Sequence, residues 1–344
     1  MELLKSLYGV HSPSNKEDGM RTFLLKELAN KKYGGASFSV DEHGNILITK
    51  GVSTSYPCAV AHIDEVHNTG ITHVLELDGA LIGLNSTLHS QNGIGADDKN
   101  GIWCALKLLE ETPIMKVALF VGEEVGCIGS GKVDMAFFDD CQFVLEADRR
   151  GGPDFINNIA GIDLCSKEFI EDAKIESFGY KTTFGMMTDV QKLKARGLKV
   201  SCCNISCGYY EPHTKNEYTI FSELTNCLEL MRGIVALGKE YPHEYVAPVY
   251  TPPTYGGGTT PRYGTAGYSR SLVDDDAFDY RNSYAVSYFD ELEKLIDMMK
   301  AEKFDIDVKS YYNKNQRKFT KLFERDFCIA ASVVQGEIFF NPLS

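Results

Sequence analysis

The sequence predicts an α/β fold, a largely parallel central sheet flanked by helices, with an extra C-terminal region. Three observations lead there. Short apolar runs alternate with helix-like stretches over roughly the first 240 residues, the pattern of strands joined by crossover helices. Four of those runs lead into His or acidic residues: His62-Ile63-Asp64, Glu123-Glu124, Asp148 and His213. Ligands of such sheets bind beyond the carboxyl ends of the strands. After about residue 244 the composition turns to Tyr, Pro, Gly and Thr, the mark of a linker or irregular loop.

Taken in order, residues 14–31 predict a helix, capped by Ser14 or Asn15, with Met20, Phe23, Leu24 and Leu28 on one face. Phe38–Val40 and Ile46–Thr49 read as strands around Glu42-His43-Gly44-Asn45, a hairpin signal. Cys58-Ala59-Val60-Ala61 is a short buried strand ending on His62 and Asp64, which strand alternation puts on one side. A carboxylate beside an imidazole can orient it for a metal; the plain alternative is a strand-end His bonded to its neighbour. His67, His73 and His89 read as loop or surface histidines without a role. Residues 72–84 form a second hairpin around Asp78-Gly79.

Gly93-Ile94-Gly95-Ala96-Asp97-Asp98-Lys99-Asn100-Gly101 follows, running into a helix from Ile102. Adjacent aspartates repel unless a cation lies beside them, and glycines let the backbone approach closely. Alone the pair fits a helix N-cap equally well; its weight comes from the other acidic and His sets. Met115–Val121 predicts a strand ending on the glutamate pair, and residues 142–145 one ending on Glu146-Ala147-Asp148-Arg149-Arg150. Helices are expected over 166–177, 189–196 and 220–239, and a strand over Leu198–Ile205 leads to Gly208-Tyr209-Tyr210-Glu211-Pro212-His213. Ser287–Lys300 is a further amphipathic helix. The expected division is a catalytic unit 1–243, a Gly/Pro/Tyr-rich linker or loop 244–275, and a C-terminal region 276–344 with no assigned role.

The chain has 344 residues, 43% hydrophobic and 24% charged, ordinary values for a globular protein with a sizeable core. A net charge of −13 argues against a general nucleic-acid-binding face. Of ten cysteines only Cys202, Cys203 and Cys207 lie close together, and no second Cys or His pair completes a structural zinc site. Reduced thiols, the lack of a signal-peptide apolar core after Met1-Glu2-Leu3-Leu4-Lys5, and no apolar run near the ~20 residues of a membrane span set the expectation of a cytoplasmic protein with no membrane partner.

Two His and several carboxylates suit zinc, with cobalt or manganese as alternatives. One carboxylate can bridge two ions in a co-catalytic site. The inventory divides accordingly: His62 and Asp148 for one ion, Glu124 and His213 for the other, Asp97 between them. Asp64 is left as the partner of His62, Asp98 as the helix cap, and Glu123 as a free carboxylate, the general base that hydrolysis needs.

The set resembles the co-catalytic dizinc exopeptidases, the group of peptidase T, the bacterial leucyl aminopeptidases and carboxypeptidase G. Their order is His-x-Asp, Gly-x-Asp-Asp, Glu-Glu, Asp and His; here it reads His62-Ile63-Asp64, Gly95-Ala96-Asp97-Asp98, Glu123-Glu124, Asp148 and His213. The resemblance implies that Asp97 bridges, that Glu123 is the base, and that the substrate is a peptide. About 65 residues separate Asp148 from His213, too few for the lid domain that peptidase T and carboxypeptidase G insert there. The single-domain aminopeptidase branch is therefore the nearer match, and peptidase T's tripeptide preference does not carry over. Two rivals stay open. One is an amidohydrolase of N-acyl amino acids or other small amides, with Arg149 and Arg150 holding a substrate carboxylate or simply pairing with acids such as Asp154. The other is a non-catalytic metal-binding module. A homo-oligomer is left open.

Overall fold

The computed structural model describes residues 1–88 and 90–246, with the backbone of 330–334 and 337–341. His89, Cys328, the linker beyond residue 246 and the helix expected at 287–300 lie outside the described residues. The helices are α1 (Glu2–Tyr8), α2 (Asp18–Leu28), α3 (Ala96–Glu111), α4 (Ile128–Lys132), α5 (Lys167–Ala173), α6 (Asp189–Ala195) and α7 (Phe221–Val235). The strands begin with β1 (Ala36–Val40), β2 (Ile46–Lys50), β3 (Tyr56–His62), β4 (His73–Leu77), β5 (Ala80–Asn85), β6 (Ser90–Asn92), β7 (Met115–Phe120) and β8 (Cys141–Arg149). They continue with β9 (Asp154–Ile159), β10 (Ile162–Asp163), β11 (Lys181–Gly185), β12 (Cys202–Ser206), β13 (Tyr209–Tyr210), β14 (Tyr218–Ile220), β15 (Ala330–Val334) and β16 (Glu337–Asn341).

The main sheet runs β1-β2-β7-β3-β8-β12-β9-β10, with β11 beside β9. Its centre is parallel: β7, β3, β8 and β12. The β1/β2, β2/β7, β12/β9 and β9/β10 pairs at its margins are antiparallel. Central strands buried on both faces read as continuous apolar runs, and every residue of β3 and β7 is buried. Alternation sorts their side chains into two layers. Ala59, Ala61, Val117, Leu119, Phe143 and Leu145 pack with α1, α3 and α7. Cys58, Val60, Ala118, Phe120 and Val144 pack with Val190 and Leu193 of α6. His62 continues the parity of Cys58 and Val60, and Asp148 that of Val144, so both leave the sheet on the α6 side at one edge.

A smaller sheet, β13-β14-β5-β4 with β6 beside β5, lies alongside; β15 and β16 pair antiparallel. Among the described residues no helix is long and apolar enough to cross a membrane. The stretch between Asp148 and His213 builds β9 to β13, α5 and α6, which occupies its whole length without an inserted domain.

Several boundaries differ from the sequence reading. The first long helix starts at Asp18 rather than residue 14, because Ser14 is used elsewhere: its amide donates to the Glu65 carbonyl and its Oγ to Asp64 Oδ2. Strand β12 starts at Cys202 rather than Leu198, because the Leu198 and Val200 carbonyls turn to the buried Lys194 ammonium. The α7 helix stops at Val235, not 239.

Candidate metal centre

Strand ends deliver the first residues of the site. His62 is fully buried; its Nδ1 lies 3.0 Å from the Asp64 carbonyl and 3.4 Å from Asp64 Oδ1. A carbonyl only accepts, so Nδ1 carries the proton and Nε2 is turned inward. Nε2 lies 3.0 Å from Asp97 Oδ1 and 3.7 Å from Asp148 Oδ1. On the other side, His213 Nε2 lies 3.2 Å from Asp97 Oδ2 and 3.1 Å from Glu124 Oε1. The two oxygens of Asp97 thus face two different imidazoles. Asp148 is further fixed by its amide to Asn204 Oδ1 at 2.9 Å and by the Tyr209 hydroxyl, 3.3 Å from Oδ1.

Asp64 does more than meet His62. Its carboxylate accepts the Glu123 amide at 2.9 Å, the Glu124 amide at 3.3 Å and the Ser14 hydroxyl at 2.7 Å. One buried side chain therefore positions both the imidazole and the glutamate pair. Among the described residues the Glu123 carboxylate meets only a weak donor, the Cys127 thiol at 3.4 Å.

The helix α3 is broken at its start, where Asp97 and Asp98 have non-helical backbones. The break lets Asp97 face the histidines while Asp98 turns back into the fold. Asp98 is fully buried, and it accepts the Gly101 amide at 3.0 Å and the His62 amide at 3.1 Å. It caps the helix as expected from sequence and also ties that helix to the end of β3.

The electrostatics are those of too many acids for too few bases. Burial raises Asp148, Glu123 and Glu124 above the usual carboxylate range, and neighbouring carboxylates add to it. Burial would lower the His62 imidazole, but Asp148, Asp64 and Asp97 outweigh it and hold it well above its ordinary value. Hydrogen bonding with Asp97 and Glu124 pushes the half-exposed His213 up to about 10. Burial opposes ionisation of Asp97, yet His213 and His62 drive it far down. A protonated His62 donates from Nε2 to these oxygens; a divalent cation would take the place of that proton. Glu124 Oε1 is buried, with the His213 ring nitrogen beside it at 3.1 Å. His62, Asp97 and Glu124 offer ligand atoms within 4.8 Å of one another, as do His62, Asp98 and Asp148. The donor set fits divalent ions. Asp98 is the less apt member, since backbone amides already occupy it.

All the sequence-predicted site residues converge here: His62, Asp64, Asp97, Glu123, Glu124, Asp148 and His213. His67, read as a loop residue, is instead buried, with Nε2 2.7 Å from Glu217 Oε2. Glu217, Tyr209, Asn204 and Ser14 escaped the sequence reading. Only Glu217 left a local signal, a carboxylate four residues beyond a candidate ligand His. Arg149 pairs with Asp154 at 3.1 Å, the plainer of its two expected roles.

No family model matches the chain, and no curated protein does. Solved structures do match. Aminopeptidase PepT from Bacillus cereus superposes with a TM-score of 0.56 at 15% identity, over 67% of this chain and 96% of that one. The chain has its fold. A tripeptidase from Staphylococcus aureus gives a TM-score of 0.54 at 13% identity over 69% and 96% of the two chains. The Pyrococcus horikoshii TET1 peptidase gives 0.51 at 15% over 68% and 98%.

Proposed function

We propose that the protein is a metal-dependent exopeptidase, an aminopeptidase in the first place, working with two divalent ions. The observation that carries this reading is Asp97, whose Oδ1 faces His62 and whose Oδ2 faces His213. That is the disposition of a bridging carboxylate. His62 and Asp148 would hold one ion, Glu124 and His213 the other, and Asp97 both. When bound, the ions polarise the scissile carbonyl and lower the pKa of the attacking water. Glu123 takes the proton from that water and hands it to the leaving amine; its burial-raised pKa suits both halves of the transfer. Asp64 keeps His62 in the Nδ1-protonated form and holds the Glu123 amide, so ligand and base stay in register.

Zinc is the ion we favour, with cobalt or manganese as alternatives. Nine described cysteines are buried and none is in a disulfide, which supports a reducing compartment and hence the cytoplasm. The TET1 peptidase assembles into a tetrahedron or an octahedral shell, and a homo-oligomer is proposed here as well. The N-acyl amino acid reading loses one support, because Arg149 is engaged by Asp154.

The test is an assay of zinc- or cobalt-loaded protein on aminoacyl anilides, short peptides and N-acyl amino acids. Turnover of the free-amine substrates is expected. Glu123→Gln should lower it about 10²–10⁴-fold while both ions stay bound. No turnover on any substrate rejects an enzyme of this class, and faster cleavage of the N-acyl compounds replaces the aminopeptidase with an amidohydrolase.

A further inference from the structure

The bridging role of Asp97 depends on a loop rich in glycine, which by itself holds no direction. Behind that loop lies Glu217, fully buried. Its Oε2 accepts the Gly95 amide at 2.7 Å and the His67 imidazole at 2.7 Å; its Oε1 accepts the Asp97 amide at 3.2 Å. His67 is held in turn by its own carbonyl, 2.8 Å from the His11 ring. The contact is tight. A Cβ on Gly93 would fall 2.0 Å from the His67 ring, so only glycine leaves room for that imidazole. Gly95 has φ +63, and a Cβ there would lie 2.2 Å from Glu65 Oε2. Glu65 forms a second buried ion pair, 3.1 Å from Lys99 Nζ.

We propose that the buried Glu217–His67 pair is the positioning device of the bridging carboxylate: through the Gly95 and Asp97 amides, Glu217 sets the backbone from which Asp97 divides its two oxygens between His62 and His213. This rests on the reading of Asp97 as a bridge. The geometry adds a reason for the arrangement. Glu217 lies four residues beyond His213, so one turn holds Asp97 twice, at its side chain through His213 and at its amide through Glu217. The two sides of the bridge are thereby kept in register. Only a carboxylate accepts at both oxygens. With a glutamine here, its carbonyl oxygen can serve Gly95 and His67, but its NH2 group then meets the Asp97 N–H donor to donor.

Glu217→Gln is therefore the direct probe, since it preserves shape and removes one acceptor. Cobalt is titrated into metal-free protein and followed by its visible absorption, with circular dichroism as the check on folding. Affinity for cobalt should fall about 10–100-fold, the usual loss when the groups orienting a ligand are removed, and kcat should fall more than KM. Glu217→Asp, which keeps both oxygens, should recover part of the loss. Thr219→Val, which deletes buried hydrogen bonds to Tyr8 and Asn100 without touching Asp97, should cost stability and leave cobalt affinity unchanged. If Glu217→Gln fails to fold, Gly93→Ala carries the test by displacing His67 and should weaken cobalt binding in the same direction. Wild-type cobalt affinity in the folded variant, or an equal loss in Thr219→Val, overturns the proposal. A native protein that binds no cobalt fails earlier, at the metal centre itself.

Discussion

The two sides of Asp97 are built differently. On the inner side, His62 is fully buried at the end of β3, and Asp148 is 8% exposed near the end of β8. Adjacent parallel strands fix their spacing, and Asp64, Asn204 and Tyr209 fix their rotamers. On the outer side, His213 is 52% exposed, on a turn with φ +64, and Glu124 sits in the loop after β7. The inner half is part of the core; the outer half is a turn laid over it. Preorganised ligands lose less freedom on binding, so the inner ion should bind first and exchange last. The outer ion should be the one that faces substrate.

Removing the element common to both sides should have the largest effect. Asp97→Ala is expected to lose at least one ion and nearly all turnover. Asp64→Ala should lose about 10–100-fold in metal affinity or activity, because it disturbs ring orientation without removing a ligand. Metal content and kcat of the two variants, prepared together, rank them. Asp98→Ala should chiefly cost stability, since it leaves the His62 and Gly101 amides without an acceptor at ~1–3 kcal/mol each. A metal-deficient Asp98→Ala beside a normal Asp97→Ala would move the bridge by one residue.

Next in size is the contrast between the histidines. His62→Ala removes the partner of buried carboxylates, a change that typically costs roughly 3–5 kcal/mol. His213→Ala should cost clearly less, because solvent screens its pairs with Asp97 and Glu124, and should lose only the outer ion. Thermal unfolding of both variants in chelator measures this; equal destabilisation would erase the distinction between core and turn.

How much of this was legible beforehand follows from where the information lies in the chain. The strands that carry ligands were readable because Cys58–Ala61, Met115–Val121 and 142–145 are apolar runs with few alternatives. The strands β9 and β11 were not: Asp154-Phe155-Ile156-Asn157-Asn158-Ile159 is broken by asparagines, and Lys181-Thr182-Thr183-Phe184-Gly185 is a mostly exposed edge. The candidate ligands were readable because each sits in a short local motif. Their supports were not, since Glu217 acts on Asp97 across 120 residues and Ser14 on Asp64 across 50. Such pairs exist only once the chain is folded.

A smaller, graded effect is expected with pH. Asp148, Glu123, Glu124, His62 and His213 all hold protons more tightly when folded. A group whose folded pKa is raised contributes stability below its unfolded value and loses it as pH rises through the folded one. Asp97 and Asp64 have the opposite sign, but their contribution is lost only in acid, below the ordinary carboxylate range of about 4. The chelated protein should therefore lose Tm as pH rises past the ordinary imidazole value of about 6.5, with His213 completing its loss near 10. Metal competes with the same protons, so the Tm gained on adding zinc should grow over that range. A chelated protein whose Tm rises with pH would contradict the charge balance described for the site.

The most direct test of the bridged centre is the number of ions it takes up. Metal-free protein is titrated with zinc, and binding is followed by calorimetry at neutral pH. The geometry predicts two ions per chain in two resolved steps, the tighter at His62 and Asp148, and proton release as the imidazoles give up their protons. A single ion at saturation, or none, would contradict the assignment of Asp97 as a bridge.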